Sequence, residues 1–103
     1  MKTYILIKNK KDISIKNAED IKVSDIYGIY QNKCKAFWEC RKVNSKSNIY
    51  ILKEINLETN EITNSFYLKD KTSIIDEKGE NYKIPVFYND IKSDCNDTIF
   101  NDL

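Results

Sequence analysis

The sequence predicts a small all-β domain, either an SH3-like or OB-like barrel or a curved antiparallel meander. The choice of apolar residues favours strands, because the chain holds 16 Ile but 5 Leu and 2 Ala, with 7 Tyr and 4 Phe alongside. β-Branched and aromatic residues suit a pleated sheet, whereas Ala and Leu are the strongest helix formers. Several short alternating segments separated by polar turns support the same class, and 103 residues fit one domain.

The first half of the chain gives short strand signals separated by polar residues. The first is a hairpin that pairs 3–8 with 13–16 around a turn at 9–12. A turn or single helical turn at 17–20 and an edge strand at 21–23 follow. The last is a strand at 26–31, which a turn at 32–33 joins to the next strand.

That next strand is the stretch 33–43, KCKAFWECRKV. Alternation places Cys34, Ala36, Trp38 and Cys40 toward the core and Lys35, Phe37, Glu39 and Arg41 toward solvent. In a strand, Cys34 and Cys40 would lie about 20 Å apart, at roughly 3.3 Å per residue. That distance excludes a shared metal ion or a disulfide between them.

A central hairpin pairs residues 49–57 with residues 62–69. A two-residue loop would place Leu57 opposite Ile62 and Leu52 opposite Tyr67, so that one face of the sheet is buried and the other faces solvent. A third hairpin pairs 73–76 with 81–84, and Gly79 supplies the positive φ that a type I turn with a G1 bulge requires.

The β domain is predicted to span residues 1–89, since Pro85 cannot donate a ladder hydrogen bond and ends the last strand. Residues 90–103 form an acidic tail with four Asp, in which an apolar residue recurs every fourth position. This spacing is typical of a helix, but the intervening Asn, Asp, Ser and Thr are poor helix formers. A short docked helix, which would make the fold α+β, and a disordered tail both fit.

The chemistry of catalysis is sparse in this sequence. The chain has no His and two Gly, so it lacks the usual general base, the usual zinc ligand and any glycine-rich phosphate loop. The sequence therefore predicts no catalytic residue, no metal site and no cofactor.

The predicted outward face of the meander carries an aromatic and basic patch, and such patches often mark an interface. The leading hypothesis is a non-enzymatic protein–protein interaction module that inhibits a partner by occluding it, as small phage or mobile-element anti-defence and anti-CRISPR proteins do. A homodimer through the same patch fits equally. The predicted contact residues are Lys35, Phe37, Arg41, Tyr50, Leu52, Tyr67 and Lys69.

Charge is distributed unevenly along the chain. Residues 1–53 carry 12 Lys and Arg against 5 Asp and Glu, a net charge of +7, whereas residues 54–103 carry 5 Lys against 11 Asp and Glu, a net charge of −6. The halves could neutralise each other, or the basic half could bind nucleic acid. A third hypothesis is a sponge for a small anionic nucleotide. The predicted nucleic-acid contacts are Lys33, Lys35, Arg41, Lys42 and Lys46.

No segment resembles a signal peptide or a membrane span, since the longest early apolar run covers residues 4–7. We therefore expect a cytoplasmic protein without membrane contact. Three Cys, an odd number, favour reduced thiols.

Overall fold

A computed structural model of the protein describes residues 1–9, 15–46 and 49–84. Six strands and one helix make up the fold, together with two short 3-10 turns at Ala18–Asp20 and Val23–Asp25. The strands and the helix are β1 (Lys2–Lys8), β2 (Ile26–Tyr30), α1 (Lys33–Val43), β3 (Tyr50–Asn56), β4 (Ile62–Asp70), β5 (Ser73–Asp76) and β6 (Asn81–Lys83).

The strands form one antiparallel sheet in the order β2-β1-β3-β4-β5-β6. The predicted antiparallel β architecture is confirmed, and within the described residues the sheet is open, with β2 and β6 at its edges. The helix makes the fold α+β, although it lies between β2 and β3 rather than at the C-terminus. The predicted tail at 90–103 and Pro85 lie outside the described residues.

The position of β1 explains why a helix is needed. β1 pairs antiparallel with both β2 and β3, so these two strands run in the same direction on either side of it. A tight turn cannot join two strands that run the same way, and a long crossover, usually a helix, has to return the chain. A simple meander would have needed only short turns at this point.

The stretch 33–43 is therefore α1, and its prediction as a strand is wrong. The Asn32 side chain caps the helix by accepting a hydrogen bond from the backbone N–H of Lys35 at 2.9 Å. Arg41 and Lys42 lie in the last turn, where positive charge complements the helix dipole. The buried face of the helix includes Cys34, Phe37 and Cys40, which are spaced as one helical face requires.

The first predicted hairpin is also wrong, because β1 pairs with β2 and β3. Residues 10–14 of that hairpin lie outside the described residues. The helical turn expected at 17–20 is confirmed, whereas 21–23 does not form a strand. The segment instead reaches β4, since the Ile62 backbone N–H donates to the Lys16 carbonyl at 3.2 Å.

The central and third hairpins both form, and the third also has the predicted strand pairing and turn glycine. β5 and β6 pair as predicted, and Gly79 has φ of +87°. In the central hairpin, Leu52 lies opposite Phe66 rather than Tyr67, and Ile62 lies opposite Ile55 rather than Leu57. A shift of one residue moves a side chain to the other face of a sheet.

Both faces of the sheet are covered, so the expectation of one solvent face is wrong. On the face away from the helix, buried Ile5, Ile7, Ile51 and Ile55 pack against apolar side chains of the 15–26 segment. The other face meets α1. Its buried cluster comprises Tyr4, Leu6, Cys34, Ala36, Phe37, Cys40, Leu52, Phe66, Ile74, Tyr82 and Ile84.

Phe37 is central to the contact between α1 and the sheet. Its side chain is fully buried, and its ring lies edge-on to Phe66 at 5.0 Å and to Tyr82 at 5.7 Å between centroids. The Lys33 ammonium lies 4.9 Å from the centroid of Tyr82 and 5.3 Å from that of Phe66, within cation–π range. This cluster fixes the position of the helix on the sheet.

We expect Phe37→Ala to lower the free energy of unfolding by about 3–5 kcal/mol, because it leaves a cavity beside the rings of Phe66 and Tyr82. Urea denaturation monitored by circular dichroism measures the change, and complete loss of the folded baseline counts as the same result. Lys35→Ala, a change to Ala on the same helix at a half-buried position, is the matched control and should cost less than about 1 kcal/mol. Equal losses for the two variants would contradict the packing account.

Candidate functional site

A basic groove of about 570 Å³ lies between the last turn of α1 and the end of β4. Its walls bring together charged side chains from two separate parts of the chain, with one indole on the helix wall. The lining residues are Trp38, Arg41, Lys42, Asn44, Ser45, Leu68, Lys69, Asp70 and Lys71.

Trp38 and two cations form the helix side of the groove. The Arg41 guanidinium carbon lies 5.9 Å from a Trp38 ring centroid, and the Lys42 ammonium lies 5.6 Å from it. Residues three and four apart are neighbours on a helix surface, so the sequence spacing itself produces this arrangement. The Arg41 Nη1 also donates to the Lys71 carbonyl at 3.4 Å, which links the helix to the β4–β5 turn.

The opposite side of the groove is the turn between β4 and β5. Asp70 shapes this turn, because its Oδ1 accepts hydrogen bonds from the backbone N–H of Thr72 at 2.8 Å, the Thr72 hydroxyl at 2.9 Å and the Ser73 hydroxyl at 2.9 Å. These hydrogen bonds, above all those from Thr72, lower the pKa of the Asp70 carboxyl. The turn thereby positions Lys69 and Lys71 on either side of a carboxylate that is already bonded within the turn.

The groove has a net positive charge. Four cationic side chains, Arg41, Lys42, Lys69 and Lys71, line it with one carboxylate, Asp70. Lys42 and Lys71 are exposed, and the Lys69 ammonium donates to the Asn81 side-chain oxygen at 3.0 Å. Exposed Lys side chains of this kind can reach an anion without breaking a structural ion pair.

Asn44 holds the helix end in place beneath the groove. Its side-chain nitrogen donates to the carbonyls of Cys40 at 2.9 Å and Tyr50 at 3.1 Å, and its oxygen accepts from the Tyr50 backbone N–H at 3.0 Å. Asn44 is buried, so these bonds are shielded from water. They tie the end of α1 to the start of β3 and so fix the positions of Arg41 and Lys42.

The predicted partner-binding patch does not form. Phe37 and Leu52 are fully buried, so neither is available as an anchor, and the predicted exposure of both is wrong. Tyr50 and Tyr67 are half-buried and lie on opposite faces of the sheet, Tyr50 with the helix-side cluster and Tyr67 with the isoleucine cluster. The strand prediction for 33–43 and the register error in β4 together produced the mistaken patch.

The remaining members of that set are separated in space. Arg41 and Lys69 both line the groove. Lys35 is half-buried on α1 and does not line it. Two of the seven predicted contact residues are thus brought together, through a helix rather than through a strand face.

The predicted nucleic-acid contacts are also only partly assembled. Arg41 and Lys42 line the groove, Lys46 is exposed just beyond α1, and Lys35 lies outside the groove. Lys33 is 6% exposed and lies over aromatic rings, so a phosphate-contacting role for it does not fit the structure.

Sequence reasoning missed Trp38 and Lys71 as groove residues. It placed Trp38 in the core, and it did not consider Lys71, which adjoins Asp70 in a turn. Asn32, a favoured N-cap residue, and the basic last turn were local signals of a helix. With the helix recognised, Trp38, Arg41 and Lys42 fall on one side of it.

Two polar groups lie within the reach that a nucleophile and its base require. The Lys53 ammonium is 2.7 Å from the Ser65 hydroxyl, and burial lowers the pKa of Lys53 while the nearby Glu77 charge raises it. Ser–Lys pairs can act in nucleophilic catalysis. Ser65, however, is fully buried, and no substrate can reach its oxygen, so this pair gives no support to an enzymatic function.

The described cysteines differ in their bonding. Cys40 is a free, buried thiol, whereas Cys34 is disulfide-bonded, so the prediction of reduced thiols is confirmed at Cys40 and wrong at Cys34. Burial raises the pKa of Cys40 to about 12, although a hydrogen bond from Asn44 acts in the opposite direction. Across 1–9, 15–46 and 49–84, no three or more His, Cys, Asp or Glu side chains cluster as a metal site would require.

No helix within the described part of the chain is both long and apolar enough to cross a bilayer. Comparison with models of known protein families, with curated proteins and with solved structures finds no match to this chain.

We expect Cys40 to resist alkylation by iodoacetamide at about pH 8 in the folded protein, because a buried thiol with this pKa presents almost no thiolate. Peptide mass mapping should show Cys40 labelled only after unfolding in urea. Ser45→Cys, at an exposed position next to the helix end, is the positive control and should label in the folded state. Native labelling of Cys40 at the rate seen in urea would show that the helix end is not closed.

Proposed function

We propose that this protein is a non-enzymatic binding module whose basic groove holds the phosphate backbone of a single-stranded nucleic acid. The observation that carries the proposal is the groove beside Trp38, which four cationic side chains line and in which two of them, Arg41 and Lys42, lie against the indole. Proteins that bind single strands combine a positive groove, which follows the backbone, with aromatic surface that contacts bases.

The arrangement of charge favours a phosphate chain over a compact anion. The cations come from both walls of the groove, Arg41 and Lys42 from the helix and Lys69 and Lys71 from the end of β4 and the turn after it. A chain of phosphates can contact both walls in succession, whereas a single phosphate contacts few of them. An acidic peptide would offer carboxylates but usually no planar base for the Trp38 surface, and it is therefore the less suitable ligand.

A protein partner remains the second candidate function, in the form of an inhibitor that occludes its target. The observation that favours it is the uncharged edge strand β2, which is bordered by exposed apolar residues. An anti-CRISPR or other phage anti-defence role belongs to this candidate and would have to use a surface other than Phe37. A small anionic nucleotide is the third ligand to be tested in the same groove.

The binding test uses fluorescence polarisation with a labelled oligothymidylate of about 12 nucleotides, within the roughly 4–16 nucleotides that small single-strand-binding folds cover. The variants are Lys42→Gln and Lys71→Gln, alone and combined. Lys22→Gln, an exposed Lys that does not line the groove, is the matched control. We expect the double variant to bind at least about tenfold more weakly and the control to bind within about twofold of the wild type.

Salt dependence provides the second readout. The logarithm of the association constant should fall linearly with the logarithm of salt concentration, and each groove Lys removed should reduce the slope by about 0.7. Equal effects of Lys22→Gln and Lys71→Gln would indicate diffuse attraction and contradict the groove. Binding of a mononucleotide as tight as that of the oligonucleotide would point to the nucleotide sponge, and binding of an acidic peptide alone would point to a protein partner.

A further inference from the structure

The two edges of the sheet differ in how they are protected. β6 is three residues long and carries exposed Asn81 and Lys83, a length and composition that discourage pairing with another strand. β2 has the sequence IYGIY, with neither charge nor Pro. Its one irregularity is a register shift opposite Leu6 and Ile7 of β1. β2 is thus the less protected edge.

Exposed apolar side chains flank the β2 edge. Val23 is 84% exposed, Ile29 is 59% exposed and Tyr27 is 49% exposed. Ile49, 48% exposed, precedes Tyr50, whose ring lies edge-on to Tyr27 at 5.6 Å between centroids. Ile29 lies opposite Ile5 of the isoleucine face, whereas Tyr27 lies against Tyr50 of the helix face, so exposed apolar side chains border β2 on both faces of the sheet.

The backbone of β2 has one strand neighbour in the described part of the chain. β2 pairs with β1 along one side, and no other described strand pairs along its outer side. The outer side of an edge strand presents backbone N–H and C=O groups that can continue the sheet with another strand. β2 therefore offers both main-chain groups and apolar side chains to a partner.

We infer that the β2 edge pairs with the β2 edge of a second copy of this chain, antiparallel about a two-fold axis. The charge distribution favours a second copy, because an uncharged strand can lie against itself without placing like charges together. When the two-fold axis passes at Gly28, the middle residue of β2, Asp25 of one copy lies near Gln31 of the second copy, so the residues beyond the strand ends also oppose no like charges. The product is a continuous sheet of twelve strands, counting the six of each copy.

The symmetry determines where the two grooves lie. Antiparallel edge pairing places the two-fold axis perpendicular to the sheet, so both copies of α1 cover the same face. β4 of one copy and β4 of the other are then seven strand spacings apart, or roughly 34 Å at about 4.8 Å per spacing. If the proposed function holds, a single strand long enough to reach both grooves binds more tightly than a short one.

Sedimentation velocity of the full chain over a range of protein concentrations tests the pairing. We expect the wild type to approach twice the 12.2 kDa monomer mass as concentration rises. Ile29→Lys, which places a charge on the edge, should sediment as a monomer with unchanged circular dichroism. Leu57→Lys, at an apolar position that is 44% exposed in the β3–β4 loop, is the matched control and should still dimerise.

Three outcomes would overturn the inference. The first is a wild type that stays monomeric at all concentrations up to about 100 µM. The second is dissociation by Leu57→Lys but not by Ile29→Lys, which would place the interface elsewhere. The third is a monomer in which the β2 amides that point away from β1 are protected from hydrogen exchange, which would show that another part of the same chain covers this edge.

The dimer and the proposed function fail separately. If the groove binds nucleic acid but β2 does not pair, Ile29→Lys should bind short and long oligonucleotides as the wild type does. If β2 pairs but the groove binds nothing, sedimentation should show the dimer while polarisation shows no binding. The combined account predicts that Ile29→Lys keeps its affinity for a short oligonucleotide and loses at least about tenfold for one that spans both grooves.

Discussion

The contact of Phe37 with the sheet determines where everything on the helix face lies. Its ring is edge-on to Phe66 and Tyr82, which are themselves edge-on to each other at 5.6 Å. Because Phe37 lies near the middle of α1, packing its side chain against the sheet also determines the rotation of the helix about its own axis. That rotation directs Trp38 and Arg41 toward the β4–β5 turn and leaves Lys42 exposed.

Polar side chains complete this scaffold where the rings end. Burial alone would raise the pKa of Asp76, but hydrogen bonds that include those from the Glu80 backbone and the Tyr82 hydroxyl outweigh it and lower the pKa. The bond between Asp76 and Tyr82 is 3.0 Å long and connects the β5–β6 turn to the ring cluster. Asn44 provides the corresponding connection at the helix end. Side chains on both sides of the groove are therefore fixed by elements that are themselves tied to the core.

The sequence was most informative where local chemistry decides the structure. Gly79 identified the β5–β6 turn because few other residues adopt its positive φ readily. The stretch 33–43 fits a period of two and also a period of 3.6, so alternation alone could not distinguish strand from helix. The need for a crossover around β1 decided it, and that need is a property of the topology rather than of the stretch. The groove was not predictable for the same reason, since Lys69 and Lys71 meet Arg41 and Lys42 only after the helix is seated on the sheet.

The central claim, that an anionic strand occupies the groove beside Trp38, can be tested through the emission of the only Trp in the chain. Titration with unlabelled oligothymidylate should change the intensity or wavelength of Trp38 emission and saturate at the same concentration as polarisation. The change should be absent from the combined Lys42→Gln and Lys71→Gln variant over that range. Saturable binding by polarisation with no change in Trp38 emission would place the ligand elsewhere and contradict the account.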